Sequence, residues 1–224
     1  MENTDPINAH DQEAENYDKQ VREYQSYTHD ALFGMSFEYV KTEDCMLDLG
    51  IGTGLASQGF AKAGLEIYGC DGSSEMLKVC ESKAFAKELK IFDLRNLPLP
   101  YPDNFFDHVI CCGVFHFFGD LENLWKEVLR VIKTGGIFAF TVAAPAPDEE
   151  AATTDPRQGY FKKPTPWGVP IFQHSVGYVA HLLRFNGFNI LKIQKLLIRG
   201  GPEEDSADMS FRIYVTRAAN EASV

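Results

Sequence analysis

No apolar run in the sequence approaches the length of a bilayer-spanning helix, so the chain is not expected to cross a membrane. Cysteine is sparse. The five residues Cys45, Cys70, Cys80, Cys111 and Cys112 are odd in number and contain no Cys-x-x-Cys pair, which argues against a disulfide framework or a zinc site. No metal is implied, and a reducing compartment fits best. Basic charge is also short, with 21 Lys plus Arg against 32 Asp plus Glu and a formal charge of -11. Such a field repels phosphate backbones and anionic headgroups, so neither nucleic acid nor a membrane is an expected partner. The opening Met1-Glu2-Asn3-Thr4-Asp5-Pro6 lacks the bases and apolar stretch of a targeting peptide, and a cytoplasmic protein is expected.

What is present suits one α/β domain: 224 residues, 45% of them hydrophobic. Residues 1–16 are polar and acidic and read as a flexible leader, ahead of a single domain over 17–224. Tyr17, Val21 and Tyr24 share one helical face, and Leu32, Phe33, Phe37 and Val40 extend it, giving an N-terminal helical lid over 17–44. Strand and helix signals then alternate. Strands are predicted at Cys45–Leu49, Glu66–Cys70, Leu89–Phe92, His108–Cys112 and Ile137–Val142, and helices carry Ala56, Phe60 and Ala63, then Glu75–Cys80. A third helix starts near Asp120, keeps a stripe of Leu121, Leu124, Trp125, Val128, Leu129 and Ile132, and is predicted to end at Gly135-Gly136. Residues 143–175, with an irregular proline-bearing stretch from Ala143 to Trp167, read as a loop on the substrate side. Ser175 is placed to cap a helix closed by Gly187, before strands Phe188–Ile198 and Phe211–Thr216. The pattern predicts a Rossmann-like doubly wound sheet of seven strands, mostly parallel, with an antiparallel C-terminal strand and an N-terminal helical extension.

Ligands of open α/β sheets bind at the carboxyl ends of the strands where the winding reverses, beside the first strand. Asp48-Leu49-Gly50-Ile51-Gly52-Thr53-Gly54 sits there, and its glycines let a ligand press on bare backbone ahead of a helix N-terminus. About twenty residues on, Asp71 ends the second strand, where a carboxylate reaches ribose hydroxyls and disfavours a 2′-phosphate. The dinucleotide fingerprint Gly-x-Gly-x-x-Gly fails in both registers, because Leu55 and Ser57 occupy the third glycine's place.

Asp48 with Gly50, Gly52 and Gly54 resembles the first motif of the class I S-adenosylmethionine-dependent methyltransferases, in particular their small-molecule group. Asp71-Gly72-Ser73-Ser74-Glu75-Met76-Leu77 resembles the second motif, which implies that Asp71 and Gly72 meet the ribose and Met76 lies along the cofactor. Phe92-Asp93-Leu94 is similar to the third, implying contacts from Asp93 and the Leu94 amide to adenine. Pro98 to Asp107, the segment Gly113-Val114-Phe115-His116-Phe117 and the block Leu129 to Gly136 also resemble the family, and the resemblance adds Cys112 and Gly113 to the cofactor-binding residues. Phe117 departs from a common His-His pair. The resemblance implies S-adenosylmethionine as cofactor and a small-molecule methyl acceptor. An NAD-dependent oxidoreductase and a non-catalytic S-adenosylmethionine sensor are the alternatives.

Methyl transfer is an in-line displacement that mainly needs alignment, and a base where the acceptor is a hydroxyl or protonated amine. His116 is the candidate, since histidine ordinarily titrates near neutrality, although a lone histidine is more often structural. Tyr17 and Tyr24 are candidates to close over the cofactor. Tyr160, Trp167 and His174 are candidates to line the acceptor site. The competing reading is ordinary packing for Tyr17 and Tyr24, and cover for the sheet's edge for the other three. Cys111-Cys112 is read as buried filler in a strand.

Overall fold

The computed structural model describes residues 5–151, 155–165, 168–198 and 208–219. Three helices come first: α1 (Pro6–Glu13), α2 (Tyr17–Glu23) and α3 (Thr28–Ser36). The expected flexible leader is therefore largely helix. Asp5 caps α1 by accepting from the Ile7 amide at 2.9 Å, with Pro6 at the first helical position. Its apolar periodicity is weak because the helix is held through polar side chains, which a hydrophobic pattern does not reveal.

The alternating core follows as β1 (Cys45–Leu49), α4 (Ser57–Lys62), β2 (Glu66–Asp71), α5 (Ser74–Ser82), β3 (Ala86–Ile91), β4 (Phe106–Cys111), α6 (Glu122–Val131) and β5 (Ile132–Ala143). Strands β3, β2, β1, β4 and β5 lie side by side and parallel, in that order. The winding reverses between β1 and β4, so the β1 turn sits where such sheets open a ligand crevice. Ile132 continues the buried stripe of α6 yet is already extended, with φ -83° and ψ 142°. The helix ends at Val131 and not at Gly135-Gly136. Burial alone does not separate the last turn of a helix from the first residue of a buried strand.

The segment read as a loop after β5 contains α7 (Pro147–Ala151) and a hairpin of β6 (Tyr160–Lys163) and β7 (Ile171–His174). After it come α8 (Val176–Phe185), capped by Ser175 as expected, then β8 (Phe188–Ile198) and β9 (Met209–Ala218). Strand β9 runs antiparallel to β5 and to β8. The described sheet thus has nine strands, the expected seven plus the β6–β7 hairpin.

One detail of this sheet positions the site. Strand β9 holds one edge of β5 along Ile137–Ala143, and β4 holds the other edge only as far as Phe140. Ala143 pairs with both Phe211 of β9 and Gln173 of β7, so β7 takes the flank that β4 has vacated. The hairpin therefore stands beyond the carboxyl end of β4.

Two cores sandwich the sheet. On one face Trp125, Phe138, Phe140, Leu182 and Tyr214 pack with α6 and α8; on the other Leu32, Phe60, Leu77, Ile137 and Ile213 pack with α3 to α5. Each such side chain contributes about 1.5–3 kcal/mol on burial, which makes the sheet a rigid support for the loops at its carboxyl edge. Among the described residues no helix is long and apolar enough to cross a membrane.

Candidate cofactor and acceptor site

The turn after β1 is pinned to β2: the amides of Gly50 and Ile51 both donate to the Cys70 carbonyl, at 2.8 and 3.1 Å. Its three glycines do different work. A Cβ on Gly50 would lie 2.4 Å from Val114, and one on Gly54 would lie 2.4 Å from Phe85, so these two allow close packing of protein on protein. A Cβ on Gly52 would meet nothing within 4 Å, although its φ is +54°. Gly52 thus presents bare backbone to open space. Behind it Asp48 is buried, with Oδ2 accepting from the Ser57 hydroxyl at 2.6 Å and Oδ1 enclosed without a partner. Burial pushes its carboxyl up to about 7, against the Ser57 hydrogen bond, with the Asp71 charge adding to the rise.

Asp71, at the end of β2, accepts from the Gly52 amide at Oδ2 and from the Ser73 amide at Oδ1, each at 2.8 Å. Burial raises its pKa while these two amides oppose the rise. A carboxylate has about four acceptor positions, so two remain after the amides have oriented it. Ser73 caps α5 through the Met76 amide, which places the buried Met76 in the first turn of that helix. Asp93 lies beyond β3, and burial would raise its pKa, but the Arg95 guanidinium and amide hold it below the ordinary carboxylate value. Leu94 beside it is buried.

The N-terminal helices cover these groups. Asp5 pairs with Arg95 at 2.8 Å, and Ile7 approaches Gly72 so closely that a Cβ there would lie 2.5 Å from its Cδ1. Asp11 accepts from the Ser73 hydroxyl at 2.5 Å; Asp18 accepts from the Thr53 hydroxyl and from Lys83, both at 2.6 Å. Tyr17 reaches the neighbourhood of Asp71 and Cys112, where burial and nearby negative charge push its phenol up. The cover therefore begins at residue 5 and not at 17. Tyr24 closes the far end of α2, about 10 Å along the helix axis from Tyr17.

Past β4 the chain turns at Gly113, where a Cβ would again meet nothing within 4 Å and whose amide donates to Thr141 Oγ1 at 2.8 Å. Burial pushes the Cys112 thiol up to about 12 and Cys111 well above its usual value, so both stay protonated. His116 stands on the short helical turn Phe115–Phe117, half-buried, with its Nδ1 enclosed and unpartnered. Its ring lies 4.0 Å from Phe117 and 5.6 Å, edge-on, from Phe211. Burial first, then the charges of His10 and His174, lowers its pKa to about 3. The expectation of a histidine titrating near neutrality is corrected accordingly.

His174 and Tyr160 are cross-strand partners that pack on Tyr178 of α8, and the His174 Nε2 lies 3.0 Å from the Gly119 carbonyl. They brace the 113–119 loop from behind. Trp167 lies outside the described residues. Strand alternation turns Gln173, next to His174, to the opposite face, and its Oε1 is enclosed without a partner. Nothing in the sequence singled out Gln173, because its importance comes from β7 replacing β4 along the edge of β5.

Part of the chain is similar to known methyltransferases. Residues 47–140 match the model of the methyltransferase domain. An uncharacterized methyltransferase of Bacillus subtilis, YcgJ, is 34% identical over 109 residues, spanning 44% of this chain and 42% of that protein. The demethylmenaquinone methyltransferase of Thermus thermophilus is 36% identical over 106 residues, or 46% and 48% of the two chains. The match spans less than half the length of these curated relatives. Residues 47–140 are thus similar to a methyltransferase domain. In fold, the protein is similar to a SAM-dependent methyltransferase from Methanosarcina mazei, with a TM-score of 0.66 at 19% identity over 84% of this chain and 98% of the other.

The residues present fit S-adenosylmethionine, the cofactor that the sequence resemblance implies. The enclosed, unpartnered Asp48 Oδ1 suits the ammonium of an amino acid. Gly52 and Gly113 leave open the space their side chains would fill, and Asp71 keeps acceptor capacity for a diol. The similarity to a methyltransferase domain adds to what Leu55 and Ser57 say against the dinucleotide alternative.

Proposed function

We propose that the protein transfers a methyl group from S-adenosylmethionine to a small molecule. The observation that carries the reading is the open Gly52 backbone flanked by the Asp48 and Asp71 carboxylates at the sheet's switch point. Asp71 and Gly72 would hold the ribose, Asp93 and the Leu94 amide the adenine, Met76 would pack along the nucleoside, and Asp48, Gly50, Gly52, Gly54, Cys112 and Gly113 would frame the amino-acid end. Tyr17 closes that end from α2, while Tyr24 belongs to the same helical cover.

When bound, S-adenosylmethionine supplies an electrophilic methyl on a positively charged sulfur, whose electron pair returns to sulfur as the new bond forms. The chain's own contribution is alignment and exclusion of water. Helices α1 and α2, tied down through Asp5, Asp11 and Asp18, cover the donor side. His116 faces the acceptor as a neutral imidazole with a free lone pair. A group with a pKa near 3 is a weak base at neutral pH, so His116 orients an acceptor O–H or N–H by accepting from it, and the proton passes to bulk solvent when the methylated product leaves the site.

Calorimetry on the full chain should show binding of S-adenosylmethionine and S-adenosylhomocysteine. Binding of NAD alone would overturn the reading. With methyl-labelled cofactor and a small-metabolite extract, label should appear in a small molecule; cofactor binding without any labelled product would leave the sensor alternative standing instead.

A further inference from the structure

Of the enclosed polar atoms lacking partners beyond the carboxyl end of β4, His116 Nδ1 and Gln173 Oε1 lie on the Phe211 side of the sheet, whereas His174 Nδ1 and Arg212 Nη1 lie on the other. Buried polar atoms in folded proteins are nearly always hydrogen-bonded, and exceptions ask for a ligand or another cause. The sheet brings the first two to one place. Gln173, Ala143 and Phe211 lie in a row across β7, β5 and β9, so their side chains share a face. Neighbouring strands lie about 4.8 Å apart, which sets Gln173 and Phe211 roughly 10 Å from each other with only a methyl between them. The His116 ring stands edge-on to Phe211, and its helical turn packs against both β5 and β7. Across Ala143 the row therefore sets the Gln173 amide opposite Phe211 and the His116 ring that stands against it.

Resting on the reading of the protein as a methyltransferase, we propose that Gln173 binds the methyl acceptor together with His116, and that this acceptor is an uncharged planar molecule offering an O–H or N–H. Neither a neutral imidazole nor an amide carries charge, so neither compensates a buried carboxylate or phosphate. A cationic acceptor would be desolvated without a counter-charge beside a cofactor that is itself cationic. Arg212 belongs to the other side of the sheet, where its Nη2 donates to Glu150 and its Nη1 is enclosed without a partner. Phe117 and Phe211 supply flat apolar surface for a ring.

The test uses the full chain saturated with S-adenosylhomocysteine and four ring probes at millimolar concentration: phenol, toluene, benzoate and benzylammonium. Binding is followed through the NMR signals of the Gln173 side-chain amide and the His116 imidazole. Phenol should move both and bind most tightly. Gln173→Leu should weaken phenol at least tenfold, leave toluene unchanged and keep S-adenosylhomocysteine affinity within twofold. It should also leave the melting temperature unchanged or raise it, because an apolar group of similar shape replaces an unpartnered carbonyl. A merely structural Gln173 would instead lower the melting temperature and leave phenol binding intact. Tighter binding of benzoate or benzylammonium, or no response of either side chain to phenol, overturns the proposal. Failure of S-adenosylhomocysteine to bind the unaltered protein would overturn the methyltransferase reading itself, a separate result.

Discussion

At the carboxyl ends of β1, β2 and β3 the polar side chains are tied down: Asp71 to two amides, Asp93 to Arg95, and Ser73 and Thr53 to the carboxylates of α1 and the start of α2. Beyond β4, β5 and β7 the corresponding groups are enclosed but unpaired, as at His116 and Gln173. The first arrangement fixes carboxylates in advance for a ligand whose shape is always the same. The second waits for a ligand to complete it. Preorganised partners lower the cost of binding, so the donor side is built for affinity and the acceptor side for selection.

The sharpest way to break this contrast is Asp71→Ala. Hydrogen bonds to a charged group contribute about 1.5–3 kcal/mol each, so losing two to a cofactor diol should weaken S-adenosylmethionine binding by about two orders of magnitude or more. Calorimetry reads this directly. Unchanged affinity would remove Asp71 from the donor site.

A middle-sized effect separates glycines that serve packing from one that serves the ligand. Gly50→Ala drives a Cβ to within 2.4 Å of Val114 at φ +71°, and should cost about 2–3 kcal/mol of stability in a denaturant titration. Gly52→Ala meets no protein atom within 4 Å and carries only the left-handed penalty of about 1–2 kcal/mol. Its methyl points where the cofactor would lie. Gly52→Ala should therefore be the milder change in stability and the harsher one in cofactor affinity per unit of stability lost. The opposite ranking would mean the ligand does not lie against Gly52.

The donor side was legible in the sequence because its residues are consecutive with the strand ends that present them. Asp48, Gly52 and Asp71 sit where a strand stops, and a strand's stop can be read from its apolar run. The cover over that side was half legible: the apolar face of Tyr17 and Val21 pointed to a lid, whereas α1 docks through Asp5, Ile7 and Asp11, too sparse an apolar signal to mark a helix. The acceptor side was least legible. Phe211, which meets His116, lies in one row with Gln173 only through the register of β7 and β9 on β5, a long-range pairing that local patterns do not encode. His174, chosen for its chemistry, is fully enclosed behind the loop, and its neighbour Gln173 lies on the opposite face of β7.

The smallest effect tests the one donor-side atom that breaks the rule, Asp48 Oδ1. Its carboxyl titrates at about 7 in the folded chain against an ordinary value of 3.8. Because the folded value is raised, the folded state binds the proton more tightly than the unfolded state. The associated stability is fully present below about pH 4 and is lost as pH rises through 7. Between pH 6 and pH 8 the ligand-free protein should lose about 1.4 kcal/mol from this group. Asp48→Asn should abolish that slope in urea titrations at the two pH values, since an amide does not ionise. Saturating S-adenosylmethionine should flatten it too, because an ammonium resting on Oδ1 favours the ionised carboxylate and draws its titration back below the range. A slope that persists in the saturated protein would place the ammonium elsewhere and leave Asp48 as a turn residue held by Ser57.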